Sequence, residues 1–297
     1  MIGRERELAL MESQEKTGLH LLRQAYPRRP DWSYKGQFGK VLVVGGSSDY
    51  TGSPIFNCLG AYASGADLVT LLAPKRAADT AASYAPEIIA PPLCCDFIDE
   101  SCVDAILSNS KKHDALVIGG GLSRKPKTKM AVLKILESIT IPTVVDADAL
   151  RFISGRFLAL PKTGKFILTP HADELRELAL EKNVPKADLG ARISLSKKVA
   201  TKYGVVILLK GHVDVITDGK RVILDYECSP FLTKGGIGDV TAGVCGALLA
   251  RKIPPFEAAA TAAYIVGLAG AKAAKKFGEG TLPSHVIAAI PLVLQKK

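Results

Sequence analysis

The stretch KVLVVGGS, residues 40–47, carries the first reading of the fold. Four of its first five residues are apolar, with no polar alternation, as in a parallel strand covered on both faces. It stops at Gly45, Gly46 and Ser47, where the chain can turn away from a sheet. Five further runs follow the same pattern: ADLVTLLAP at 66–74, ALVIGGG at 115–121, PTVVDAD at 142–148, KFILTPH at 165–171 and GVVILLKG at 204–211. Helical patterns fall at 53–64, 127–138, 172–181 and 189–203. HVDVITDGKRVILDYE, residues 212–227, has the spacing of a hairpin turning at Asp218–Gly219. Three helical stretches follow, near 239–251, 255–276 and 283–294.

This alternation predicts an α/β fold: one doubly wound, mainly parallel sheet with helices on both faces and right-handed crossovers. Residues 1–32 read as a helical lead-in and 33–297 as the domain itself. Ligands of such open sheets bind along the rim where strands end. Glycines load that rim at 45–46 and 119–121, Asp146 and Asp148 add acids, and Thr169-Pro170-His171 and Lys210-Gly211 complete it. Five loaded strand ends on one edge predict an elongated groove for a large ligand.

Hydrophobic residues make up 47% of the 297, ample for a sizeable core, which excludes a disordered chain. Lys and Arg total 39 against 29 acids, a net charge of +10. The bases are scattered apart from RKPKTK at 124–129, and no stripe interleaves them with aromatics. A phosphate-rich small molecule therefore explains the charge better than nucleic acid. The opening MIGRERELALMESQEK mixes both charges, unlike a signal or transit peptide. The longest uncharged run, 258–271, is about 14 residues and too short to span a bilayer. A cytoplasmic protein with no membrane partner is expected. None of the six cysteines forms a C-x-x-C pair, so they read as inert buried thiols.

GGIGDVTAG, residues 235–243, sets three glycines before one acid at the start of an apolar run. Bare amides at a helix start converge on an anion, and the helix dipole helps. An aspartate there is also an ordinary cap. A cap needs only the acid, however, whereas the glycines carry a backbone-entropy cost. The functional reading has Gly235, Gly236, Ile237 and Gly238 cradle a transferring phosphoryl group while Asp239 takes a proton from the attacking hydroxyl.

GGIGD resembles the G-A/T-G-D signature of ribokinase-like proteins. The wider pattern resembles one branch, the ATP- or ADP-dependent NAD(P)H-hydrate dehydratases. YKGQFGKVLVVGGSSDYTGSP is similar to that family's opening, H-K-G-x-x-G-x-V-L-V-I-G-G-S. GADLVTLLAP, YAPEII, VVDADAL, LTPHADEL, LLKGHVDVITDG and GGIGDVTAG match further blocks in order, over about residues 33–294.

The resemblance implies cofactor repair. Hydrated NADH or NADPH is phosphorylated on its ring hydroxyl by ATP or ADP with Mg2+, and phosphate then leaves to restore the reduced cofactor. Asp239 would be the catalytic base. Lys210, Gly211, His212, Val213 and Asp214, with the glycine loop, would bind the nucleotide. Ser53, Gly121, His171 and Asp239 would contact the hydrate. Glu174, in an H-x-x-E where sugar kinases carry N-x-x-E, would support the metal through water. Asp214 is compatible with either donor nucleotide. Read without the resemblance, these residues fit a surface lysine, a first-turn acid and plain strand-to-helix turns.

Two departures stand out: Gly120 replaces the family's proline and Ser123 its glycine in GGGLS, with consequences for the substrate. Asp146 and Asp148 fit a polar wall as well as a cap. The family also implies a homo-oligomer, and an epimerase expected as a separate protein. The rival reading is a kinase for a small alcohol or sugar.

Overall fold

In the computed structural model, which describes residues 14–155, 160–161, 165–181 and 188–295, alternate side chains of each central strand enter opposite cores. The elements are β1 (Glu15–Lys16), α1 (Leu19–Ala25), β2 (Lys40–Val44), α2 (Gly52–Ala63), β3 (Leu68–Pro74), α3 (Lys75–Tyr84), β4 (Pro92–Leu93) and α4 (Val103–Ser110). Next come β5 (Ala115–Ile118), α5 (Pro126–Ser138), β6 (Thr143–Val145), α6 (Ala147–Ile153), β7 (Phe166–Leu168), α7 (Ala172–Ala179), α8 (Leu189–Tyr203) and β8 (Val206–Leu209). The chain closes with β9 (Asp214–Thr217), β10 (Val222–Asp225), α9 (Ile237–Ala250), α10 (Pro255–Phe277) and α11 (Pro283–Leu294).

The strands form one sheet in the order β1-β10-β9-β8-β7-β6-β5-β2-β3-β4. β9 runs antiparallel to both its neighbours, and the other pairings are parallel. Val41 and Val43 of β2 face the core under α1, α2 and α9–α11, while Leu42 and Val44 face the core under α4–α8. Both faces are buried, which is why these strands read as unbroken apolar runs. The order reverses at β2: the next strand pairs on one side of it and β5 on the other. A crevice opens at such a switch point.

Small residues set the packing there. A β-carbon added to Gly243 would fall 2.1 Å from the Asn57 carbonyl, and one on Gly60 would fall 2.7 Å from that of Val240. α2 and α9 are therefore clasped backbone to backbone, which brings the start of one helix beside the start of the other.

Several expectations needed adjustment. β1, β4, α3, α4 and α6 carried no clear periodic signal. α9 starts at Ile237, two residues earlier than expected, so Gly238 lies inside its first turn. Part of the lead-in, residues 1–13, lies outside the described residues. Only three cysteines, Cys58, Cys102 and Cys245, are buried; Cys94 is exposed, and Cys95 and Cys228 are half-buried. The thiols of Cys94, Cys95 and Cys228 sit in loops, which local apolar neighbours in the sequence cannot reveal. Among the described residues no helix is long and apolar enough to cross a membrane.

Candidate active site

The Lys210–Asp214 turn between β8 and β9, the glycine loop and the strand ends converge on Asp239. Gly236 precedes α9 with φ of 99°, a left-handed conformation that suits glycine. A β-carbon there would also approach Phe56 and Pro283 at 2.8 Å. The Ile237 amide donates to the Lys234 carbonyl at 3.4 Å, and the amides of Gly238 and Asp239 are left with no carbonyl one turn earlier to receive them. Asp239 does not cap the helix, because no side chain closes that end. Its Oδ1 instead accepts a hydrogen bond from the hydroxyl of Ser53 at the start of α2. Asn57 Nδ2 donates to the Asp239 carbonyl at 2.8 Å and holds the turn from the same helix.

Gly120 closes the third side of the carboxylate. A β-carbon there would meet Ser53 Oγ at 2.2 Å and Asp239 Oδ1 at 2.9 Å. The glycine thus leaves room for the serine hydroxyl to reach the acid. Ser123, the second departure, takes φ of 73°, a conformation that costs a side-chain-bearing residue energy.

Asp239 lies between two cavities. One, of about 1200 Å³, is lined by Tyr50, Ser53, Gly121 and Ser123, together with Asp239 and Gly236. The other, of about 740 Å³, is lined by Asp146, His171, Glu174, Lys210 and Asp214, and again by Asp239 and Gly236. The sequence-predicted residues are therefore brought together, but not all as grouped. Ser53 and Gly121 share the first cavity; His171 lies across Asp239 from them, with the Lys210 loop. Gly211, His212, Gly235, Ile237 and Gly238 line the second cavity, whereas Val213 is buried in the core.

Lys210 is the second cavity's organising charge. Its Nζ meets Asp146 Oδ1 at 2.9 Å and lies where a β-carbon on Gly238 would be 3.0 Å away. Burial works against its charge, but Asp146 and Glu174 outweigh it and raise its pKa. Asp146 also accepts from Thr169 Oγ1 at 2.7 Å, so its side chain braces the cavity and forms no cap on α6. Asp148 faces the other way and pairs with Arg124 at 3.5 Å. The Gly211 amide donates to Asp214 Oδ1 at 2.7 Å, folding the nucleotide-type loop back on itself.

His171 is the N-cap of α7. Its Nδ1 accepts from the amides of Asp173 and Glu174, while its own amide donates to Glu174 Oε2 at 2.9 Å. That reciprocal box fixes the tautomer with the proton on Nε2. Burial, and then Lys210, push the His171 pKa down and keep the ring neutral.

Burial pushes the Asp239 carboxyl up to about 7, reinforced by the charge on Asp146 and opposed by the Ser53 hydrogen bond and Lys210. Burial likewise raises Glu174 to about 7, with Lys210 opposing. Asp214 is raised to about 6 by desolvation, and Asp225, whose carboxylate receives the Thr17 hydroxyl, to about 7. Such a group exchanges protons near neutral pH, as a catalytic base must.

Among the described residues no cluster of His, Cys, Asp and Glu could hold a metal ion by itself. Glu174 is compatible with a water-mediated Mg2+ that arrives with a phosphate ligand, since Mg2+ keeps several waters and uses few carboxylates. Sequence reasoning missed Thr169 as the brace of Asp146, and Arg192, buried against Gly211. A buried arginine on an otherwise apolar helix face was the one available signal.

A family model described as NAD(P)H-hydrate dehydratase matches residues 41–292. The chain is 37% identical over 278 residues to the ADP-dependent (S)-NAD(P)H-hydrate dehydratase of Cenarchaeum symbiosum, covering 92% of this chain and 94% of that one. It is also 37% identical over 273 residues to the bifunctional NAD(P)H-hydrate repair enzyme of Pyrobaculum aerophilum, covering 91% of this chain. There the chain spans about half of the relative's length, 53%. Among solved structures, a ribokinase-like superfamily protein of Enterococcus faecalis superposes with a TM-score of 0.83 at 24% identity, covering 95% of this chain and 96% of that one. The ADP/ATP-dependent NAD(P)H-hydrate dehydratase of Bacillus subtilis, co-crystallised with ATP and Mg2+, superposes with a TM-score of 0.76 at 25% identity, covering 96% and 98%. The fold is ribokinase-like.

Proposed function

This chain belongs to the NAD(P)H-hydrate dehydratase family, and from that membership we propose that it restores NADH or NADPH from the hydrated cofactor at the expense of ATP or ADP. One observation carries the reading: the Asp239 carboxylate stands at the junction of two cavities, beside uncapped helix amides. A reaction between two large molecules needs that geometry, with one reactant on each side of a shared base.

The hydrate enters the larger cavity and the nucleotide the smaller one. Asp239 accepts the proton of the ring hydroxyl as its oxygen attacks the terminal phosphorus, and the bond to the departing nucleotide breaks. The α9 amides and Lys210 hold the negative phosphoryl oxygens, which they are placed to do before the reaction begins. The phosphate ester then leaves as inorganic phosphate, with loss of the adjacent ring proton restoring the double bond. Mg2+ bound with the nucleotide would neutralise phosphate charge, with Glu174 holding it through water. Ser53 orients the carboxylate, and His171, neutral with a proton on Nε2, stands at the cavity wall with that nitrogen 3.4 Å from Glu174 Oε1.

The test offers hydrated NADH or NADPH with ATP or ADP. It follows the returning near-ultraviolet absorbance of the reduced nicotinamide together with nucleotide consumption. Equal molar recovery and consumption is the expected result. Phosphorylation of simple alcohols with the hydrate untouched would replace this reading with the kinase one.

A further inference from the structure

The larger cavity continues past Asp239 to the start of α5, where its lining changes character. Arg124, Lys125 and Pro126 follow Ser123 along that wall. α5 has 13 residues, begins with Pro126, has no side-chain cap at Lys125 and carries no acid in its first turn. Pro126 has no N–H, so the uncapped amides are those of Lys127 and Thr128, and the nearest acids at this helix start, Asp99 and Glu100, lie on its other side with Lys127. Ser123 is 7% exposed, yet its Oγ has no partner among the described residues. A buried hydroxyl without a partner costs free energy, and so does its left-handed backbone. Both costs fall on one residue that lines the cavity.

Opposing charge is present and limited. Asp148 meets Arg124 at Nε, 3.5 Å away. Asp49 is the other acid on that wall apart from Asp239. Lys125 Nζ rests 4.0 Å from the centre of the Phe97 ring, which holds the cation in place without neutralising it.

We propose that Ser123, Arg124 and the first turn of α5 form a phosphate-binding subsite for the dinucleotide, at the end of the cavity away from the donor nucleotide. This inference rests on the reading that the hydrated dinucleotide occupies the larger cavity. The phosphate is either the 2′-phosphate found only in the NADPH form or the pyrophosphate common to both forms. A serine hydroxyl, a guanidinium and helix amides are the usual partners of such a group.

The probes are NADPH and NADH themselves, titrated by nicotinamide fluorescence into the wild-type chain, Arg124→Ala and Ser123→Gly. Each variant should bind NADPH about tenfold more weakly, the loss of one charge-assisted contact. Unchanged NADH affinity would assign the 2′-phosphate; an equal loss for both would assign the pyrophosphate. Ser123→Gly also relieves a left-handed serine, so its melting temperature should hold or rise, which separates lost affinity from lost folding. Wild-type binding with both variants within twofold overturns the subsite alone. Failure of both dinucleotides to bind the wild-type chain overturns the function proposed above, and the subsite with it.

Discussion

The two halves of the groove are built on different principles. The smaller half is an electrostatic device: Lys210 sits among Asp146, Glu174 and Asp239, and Asp146 is held from two other strand ends by Thr169 and Lys210. The larger half is shaped by backbone: Gly120 leaves room for the Ser53 hydroxyl beside Asp239, and Gly121 and Ser123 line the wall. The first half can hold phosphates whose charge varies little between nucleotides. On the proposed function, the second fits one particular ring and its hydroxyl. Charge and shape are thus divided between the two halves, and among the described residues Asp239 is the one side chain that lines both.

The largest expected effect breaks the junction itself. Asp239→Asn should lower turnover by about 10²–10⁴-fold while leaving dinucleotide affinity within a few-fold, read by single-turnover assay and fluorescence titration. Equal loss of both would make Asp239 a structural residue. Next, Gly120→Ala should drive Ser53 away from the acid and cost on the order of tenfold in kcat, since small misplacements of reacting groups are costly. Adding Ser53→Ala removes the closest of the contacts that β-carbon would make, leaving Asp239 Oδ1 at 2.9 Å, so the double variant should recover part of that loss; simple additivity would show that the shape half is not coupled as described.

Lys210→Ala tests the charge half. It should weaken nucleotide binding by about tenfold, with little change in dinucleotide affinity, as measured by titration with each ligand. An unchanged nucleotide dissociation constant would count against the division.

The smallest effects are in pH dependence. With Asp239 held up at about 7, kcat/KM should rise with pH through that value as the base ionises. Ser53→Ala removes a hydrogen bond that favours the ionised form, so this limb should move to higher pH. Stability should change in the opposite sense. Asp239, Glu174 and Asp225 have folded pKa values of about 7, above their ordinary ones. The folded state therefore binds more protons than the unfolded state between the two values. Stability is full below the ordinary carboxylate range and is lost as pH rises through 7. Melting temperatures recorded from pH 5 to 8 should fall, and Glu174→Gln should flatten the decline.

The six long apolar runs announced the central strands because burial on both faces leaves no room for polar alternation. Their rim residues followed from the same logic, since the chain must turn where each strand ends. What stayed hidden was decided at a distance. β1 is two exposed polar residues, Glu15 and Lys16, and exists because β10 offers it an edge. Asp146 fitted a polar wall as well as a cap, and it is Lys210, 64 residues away, that claims its carboxylate. His171 looked like a ligand of the dinucleotide, and its nearest commitments are to its own helix. Ser53 and Asp239 meet across 186 residues, a pairing that neither segment announces.

The clasp between α2 and α9 gives the chemistry a hidden fulcrum. Gly243 lies four residues, about one helical turn, beyond Asp239, and its missing methyl lets α9 meet the backbone of Asn57 on the helix that carries Ser53 to the acid. Sequence drift in that apolar seam is therefore restrained from the rim: a methyl gained in the interior would tilt the lever and open the gap where the proton is taken.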